Sequence, residues 1–119
     1  MSAQAGTIKS RTFSFTCEEV NGATLVVCRG KLLLEITGAF KTEIKALFAE
    51  DKRVILDLHQ VTHIDSSGIG ALVQLYVSSK TSGCKLQLYH LSEPVSRSLG
   101  LTKVLDAFAS CGSYLTRLP

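Results

Sequence analysis

The residues best suited to chemistry lie in one short segment, residues 64–70, which read Ile-Asp-Ser-Ser-Gly-Ile-Gly. An apolar run over residues 53–58 precedes the segment and a pattern of helical period follows it, so a strand passes into a helix here. The first turn of a helix has unpaired N–H groups and a positive dipole, which favour an anion by about 0.3–1 kcal/mol per interaction. The hydroxyls of Ser66 and Ser67 are therefore placed to carry a phosphoryl group.

Two glycines in the same segment indicate that another part of the chain, or another molecule, lies close to the backbone there. Gly68 and Gly70 each cost about 1 kcal/mol in a helix relative to alanine, so their backbone is expected to face a partner or a neighbouring strand. A purely structural interpretation also fits, because Asp65 and Ser66 are common N-cap residues and Gly68 could relieve crowding in a tight turn. On these residues alone both interpretations remain open.

The predicted helix that follows carries no charge along most of its length. No Asp, Glu, Lys or Arg occurs between Ser66 and Ser79, although a helix that covers a sheet must turn one side to solvent. An exposed face without charge favours docking against another protein.

Other kinds of site fail on spacing. A dinucleotide-binding loop requires a third glycine where Val73 stands, and a serine-hydrolase elbow requires a small residue where the chain has Ile64 or Asp65. His59 and His63 lack a third ligand at metal spacing, so we predict no metal site. Since none of these motifs is complete, we also predict no catalytic residue and no cofactor. The cysteines form no C-x-x-C pair and are expected to be reduced thiols: Cys17, Cys28, Cys84 and Cys111.

Length and composition allow one domain. The chain has 119 residues, 45% hydrophobic and 19% charged, so it can bury a single core and is not expected to be disordered. No run reaches the roughly 18 apolar residues of a membrane span, and the N-terminus lacks a secretory signal, which predicts a cytoplasmic protein without membrane insertion. The net charge of +3 comes from dispersed basic residues, so no nucleic-acid partner is expected.

Strands and helices alternate along the chain. Two strands are predicted around the turn Asn21-Gly22, and after them come a helix from Thr37, a strand over 53–58, a loop over 61–65 and a helix ending at Gly83.

The second half continues the alternation. A strand is predicted over 85–91, and a helix capped by Ser92 ends near Gly100. The remainder is predicted as a helix or turn over 101–107, an edge strand over 108–111 and a stub of helix over 113–118. This order predicts an α/β fold with a mixed, mostly parallel sheet, an N-terminal β-hairpin and about four covering helices. The domain is expected to span residues 13–119, after a flexible segment over residues 1–12.

The sequence resembles the STAS family, the fold of bacterial anti-sigma-factor antagonists. Residues 57–70 match the family's strand-loop-helix signature in order and spacing, through Asp57, Val61 and the Asp-Ser-Ser-Gly stretch. Residues 100–104, Gly-Leu-Thr-Lys-Val, resemble the family's late Gly-Leu-x-x-Val segment. The likeness extends over residues 13–114, so a STAS-like domain is expected.

The resemblance implies a switch without catalytic activity of its own. In the family, the serine directly before the glycine, here Ser67, is phosphorylated by an anti-sigma factor that is also an ATP-dependent kinase. Nucleotide would be involved only through that kinase. The unphosphorylated antagonist binds the anti-sigma factor and frees the sigma factor for transcription. Partner contacts are expected from Asp65, Ser66, Ser67, Gly68, Ile69, Gly70 and Leu33.

The sequence departs from the family at Leu33. Phosphorylated members usually carry an acid near the phosphorylation loop, as Gly-x-Leu-Asp, where this chain has Gly-Lys-Leu-Leu at residues 30–33. Two alternatives therefore stay open. The first is a non-phosphorylated STAS subunit of a larger complex, with the leucines at 32–34 as its contact. The second is a small protein that binds phosphate or nucleotide at Ser66 and Ser67.

Overall fold

A computed structural model describes residues 4–5 and 12–119 of the chain. Most of the segment predicted to be flexible, residues 1–12, lies outside these described residues. Within them the chain forms six strands and four helices, in the order β1 (Gln4–Ala5), β2 (Phe13–Val20), β3 (Ala23–Leu32), α1 (Leu34–Phe48), β4 (Arg53–Ile64), α2 (Ser66–Ser82), β5 (Lys85–Tyr89), α3 (Glu93–Leu101), α4 (Val104–Ser110) and β6 (Tyr114–Leu115).

The described strands form one sheet in which neighbours in sequence are neighbours in space. The pairs β1–β2 and β2–β3 are antiparallel, and the pairs β3–β4, β4–β5 and β5–β6 are parallel. The hairpin turn is Asn21-Gly22, whose φ values of 48° and 83° give the left-handed backbone that a two-residue turn requires. The predicted mixed sheet with an N-terminal hairpin is confirmed.

The main core lies between one face of the sheet and the helices. Phe40 of α1, Leu72 of α2, Leu99 of α3 and Phe108 of α4 are buried in one cluster with the strand residue Leu56. A smaller cluster lies on the opposite face of the sheet. Burial on both faces explains why the middle strand β4 reads as a continuous apolar run instead of an alternating one.

The strand β4 is longer than predicted. The prediction of a loop over residues 61–65 was wrong, because β4 continues to Ile64 and pairs there with Leu32, the last residue of β3. A register shift of β3 next to Gly30 precedes this pairing. Gly30 has a φ of +104°, and a Cβ there would lie 1.9 Å from the carbonyl oxygen of Thr12, so the backbone path requires glycine.

The helix ends mostly follow the sequence signals. α2 ends at Gly83, which has a left-handed φ of 74°, and α3 is capped by Ser92, whose Oγ accepts a hydrogen bond from the Val95 backbone N at 3.4 Å. α1 begins at Leu34, before the predicted start at Thr37. The four described helices agree with the predicted number.

The C-terminal predictions were wrong in detail. Residues 108–111, predicted as an edge strand, belong mainly to α4, because Phe108 turns into the main core one helical turn after Val104. The edge strand comes later: β6 lies within residues 113–118, where a stub of helix was predicted. Its position is set by parallel pairing of Tyr114 with Leu88, a long-range contact that a local pattern does not show.

Candidate functional site

Asp65 organises the junction between β4 and α2. It precedes α2 in an extended conformation, and its Oδ1 accepts a hydrogen bond from the Gly68 backbone N at 2.9 Å. Its Oδ2 accepts a second bond from the Leu34 backbone N at 3.0 Å. One carboxylate thus caps two helices and joins the N-terminus of α1 to that of α2.

The second of these bonds explains why α1 begins where its own sequence offers no cap. Leu33 occupies the N-cap position, and its side chain makes no capping hydrogen bond. The cap is supplied by Asp65, which lies 31 positions after Leu34. Sequence analysis identified Asp65 as the cap of α2 but missed its bond to α1, since no local signal indicates it.

The hydroxyl of Ser67 is free. Ser67 lies in the first turn of α2 and is half-buried, and its neighbour Ser66 is exposed. In the part of the chain that the structure describes, Ser67 Oγ has no hydrogen-bond partner. No buried side-chain N or O atom in that part lacks a partner. The hydroxyl of Ser67 must therefore reach solvent.

The two glycines of the junction have different surroundings. A Cβ at Gly68 would lie 2.6 Å from the Leu32 carbonyl oxygen and 2.7 Å from Ile64 Cγ1, so Gly68 is required by packing within the protein. A Cβ at Gly70 would meet no atom within 4 Å. The close neighbour of Gly68 is a strand end, whereas the backbone at Gly70 is open to an approaching molecule.

The leucines at the start of α1 divide between core and surface. Leu32 is fully buried, Leu33 is half-buried and Leu34 is 69% exposed. Because the Leu34 backbone N binds Asp65, this exposed side chain lies beside the start of α2. Ile69 is half-buried and packs against the main core, so it offers only part of its surface.

The exposed face of α2 is uncharged over its first three turns, as predicted. Val73 and Gln74 are exposed on this face. The neighbouring helix brings one charge to it, because Lys41 Nζ donates to Gln74 Oε1 at 2.7 Å. The start of α2 thus offers polar hydroxyls, open backbone and little charge.

The histidines form no metal site. His59 stacks on His90, with ring centroids 4.0 Å apart, a pair that the sequence did not predict. His63 Nδ1 lies 3.0 Å from Thr62 Oγ1. No group of three metal-ligating side chains occurs among the described residues. Nor does any helix in that part of the chain combine the length and apolar character needed to cross a bilayer.

The cysteines are free thiols with contrasting surroundings. Burial raises the pKa of Cys28, Cys17 and Cys84, and nearby carboxylates raise it further. Cys111 is exposed, and a hydrogen bond from the Tyr76 hydroxyl at 3.0 Å lowers the pKa of its thiol. Among the four cysteines, Cys111 therefore has the surroundings that most favour the thiolate form.

Known proteins with similar structures share this fold. An anti-sigma factor antagonist from Mycobacterium paratuberculosis aligns with a TM-score of 0.76 and 18% identity, covering 93% of this chain and 92% of that chain. The unphosphorylated anti-sigma factor antagonist SpoIIAA aligns with a TM-score of 0.68 and 14% identity, covering 87% and 88%. Its phosphorylated form from Bacillus aligns with a TM-score of 0.65 and 15% identity, covering 87% and 91%.

A further similar structure comes from a different kind of protein. A sulfate transporter family protein from Wolinella succinogenes aligns with a TM-score of 0.68 and 20% identity, covering 82% of this chain and 79% of that chain. The family profile of the STAS domain matches residues 14–116, which include every described helix and every parallel strand pair. The chain therefore belongs to the STAS domain family.

Proposed function

We propose that the protein is an anti-sigma-factor antagonist that binds an anti-sigma factor through the start of α2 and is released by phosphorylation of Ser67. The observation that carries the proposal is the free hydroxyl of Ser67, which reaches solvent at the start of α2, where the helix itself carries no charged side chain. The contact residues in this proposal are Asp65, Ser66, Ser67, Ile69, Gly70 and Leu33. Gly68, which was also expected to contact the partner, is buried and instead lets α2 pack against the end of β3.

The proposed switch acts through charge. The anti-sigma factor, acting as a kinase, would transfer the γ-phosphoryl group of ATP to Ser67 Oγ, which loses its proton as ADP is released. The product carries about −1.5 to −2 charges at pH 7. Burying that charge in a contact without a matching cation is costly, so the complex dissociates. The protein itself supplies no catalytic group.

Similar proteins support this proposal in two ways. The mycobacterial protein is named an anti-sigma factor antagonist, and SpoIIAA has been solved in both unphosphorylated and phosphorylated forms. The first supports the class of partner, and the second supports a fold that accommodates the modification. We place the protein in the cytoplasm, where its free thiols stay reduced.

The test compares two substitutions at Ser67 in binding to the cognate anti-sigma factor, measured by calorimetry. We expect Ser67→Ala to keep the Kd within about threefold and Ser67→Asp to weaken binding by a hundredfold or more, since only the second adds charge. Ser82→Asp, at the exposed far end of α2, is the matched control and should leave the Kd unchanged. Equal binding by the two Ser67 variants would exclude the switch.

A second function is favoured by the leucines at the start of α1. Leu33 stands where phosphorylated members usually carry an acid, and Leu34 beside it is 69% exposed. These features suit a non-phosphorylated STAS subunit that uses Leu34 as a permanent contact. Incubation with the cognate kinase and ATP, followed by intact mass measurement, separates the two: the switch requires one added phosphoryl group, absent from Ser67→Ala.

A further inference from the structure

Two neighbouring grooves lie along α2 from its middle to its C-terminal end. One has a volume of about 240 Å³ and lies between α2 and α4, with Val73, Val104 and Ala107 among its lining residues. The other has a volume of about 360 Å³ and lies between the end of α2 and β5. Tyr76 and Cys111 line both grooves. The two neighbouring grooves are together called here the α2 trough.

The floor of the α2 trough is held in place by side-chain contacts. The rings of Tyr76 and Phe108 meet edge to face, with centroids 5.2 Å apart. The Tyr76 hydroxyl donates to Cys111 Sγ at 3.0 Å, and Cys111 Sγ lies 3.2 Å from the Ala107 carbonyl oxygen. These contacts fix the positions of the two side chains that both grooves share, Tyr76 and Cys111.

Exposed apolar side chains cluster around the α2 trough. Val73 lines it and is 38% exposed, Val77 follows one turn later at 59%, and Leu101 beside the lining residue Thr102 is 79% exposed. Of the four large hydrophobic residues exposed in the described part of the chain, two thus lie on α2, where Val73 lines the α2 trough. Such clustering marks a surface that another molecule covers.

The charges that line the α2 trough all have one sign. Lys103 lines the first groove, and Lys80 and Lys85 line the second. The Lys80 Nζ lies 5.3 Å from the centre of the Tyr76 ring, which both grooves share. No Asp or Glu lines either groove, and Asp106 of α4 is not among the lining residues. An occupant would meet an apolar floor with ammonium groups around it.

The length of the α2 trough suits about three turns of a bound helix. The first groove, at about 240 Å³, is smaller than the roughly 300–1,000 Å³ of most small-molecule sites. Taken together, the residues of α2 and its cap that line the two grooves extend from Val73 to Gly83, roughly 15 Å at 1.5 Å per residue. We propose that the α2 trough binds an acidic amphipathic helix of a partner protein, apolar side chains on the floor and carboxylates at the lysines. This contact does not depend on Ser67.

Cys111 provides a direct test of occupancy. Its exposed thiol lines both grooves, while the other cysteines are buried or half-buried. The probes are two synthetic helical peptides with the same leucine face, one flanked by glutamates and its twin by lysines. We expect the glutamate peptide to slow alkylation of Cys111 tenfold or more at saturation, and the lysine twin to leave the rate unchanged.

Charge variants complete the test. The double substitution Lys80→Glu with Lys103→Glu should weaken binding of the glutamate peptide at least tenfold. The control is the double substitution Lys31→Glu with Lys52→Glu, which changes the net charge equally at exposed sites and should leave the affinity unchanged. Urea unfolding confirms that each variant folds. The proposal is overturned if both peptides protect equally, if the two double variants lose the same affinity, or if the glutamate peptide fails to protect. Protection by oleate but not by the glutamate peptide would also overturn it, in favour of a lipid site.

Discussion

Asp65 shows how a single carboxylate can decide the start of two helices. Its oxygens accept hydrogen bonds from Gly68 and Leu34, at 2.9 Å and 3.0 Å. The bond to Gly68 could be predicted, because an N-cap acts within three residues. The bond to Leu34 could not, because it depends on how the ends of β3 and β4 lie side by side.

Removing this carboxylate should destabilise the protein through both helices. We expect Asp65→Ala to lower the free energy of unfolding by about 1–4 kcal/mol, because two caps are lost and each costs about 0.5–2 kcal/mol. Asp65→Asn should lose less, since its amide keeps one acceptor oxygen. Urea denaturation measures the effect, with Glu50→Ala at an exposed position as the control. A loss no larger than in that control would show that the double cap contributes little.

At the scale of elements, the period of apolar residues along the chain predicted most helices and strands. The errors arose where a segment is a strand only because it pairs with a neighbouring strand. The hairpin at Asn21-Gly22 and the cap at Ser92 carry their own signals, so both were predicted. The extension of β4 to Ile64 has polar exposed residues along it and is a strand only because β3 pairs with it. The short β6 likewise exists only by pairing with β5.

Because the start of α2 packs against the end of β3, substitutions at the two glycines of α2 are expected to have opposite effects on stability. Gly68→Ala should destabilise by about 1–3 kcal/mol, because the new Cβ would overlap the Leu32 carbonyl oxygen and the Ile64 side chain. Gly70→Ala should stabilise by about 0.5–1 kcal/mol, because its Cβ meets no neighbour and alanine favours the helix. Urea denaturation of both variants tests the pair.

The same pair reports on the partner. If an anti-sigma factor approaches the open backbone at Gly70, Gly70→Ala should weaken binding in spite of its added stability. Calorimetry against the anti-sigma factor separates the two effects in one variant. Stability and affinity rising together would place the contact away from Gly70.

At the scale of the whole molecule, the order of elements sufficed to predict the fold class, and the strand-to-helix junction sufficed to predict where Ser67 lies. What the sequence could not predict is which hydroxyl is free, because that depends on the absence of partners around it. The α2 trough was also unforeseen, since Tyr76, Phe108 and Cys111 come together only when α4 packs against α2.

The freedom of the Ser67 hydroxyl predicts a switch that changes the surface and leaves the fold intact. Phosphorylation adds about −1.5 to −2 charges to a chain of net charge +3, and Ser67 has no hydrogen bond to lose. An acid in the first turn gains from the helix dipole, and repulsion from Asp65 opposes this gain. We therefore expect Ser67→Asp to change the free energy of unfolding by less than about 0.5 kcal/mol.

Amide NMR shifts caused by this substitution should be confined to the start of α2 and the neighbouring Leu34. Shifts spread through the sheet, or a loss of several kcal/mol in urea denaturation, would mean that the modification acts through the fold and not through the contact surface.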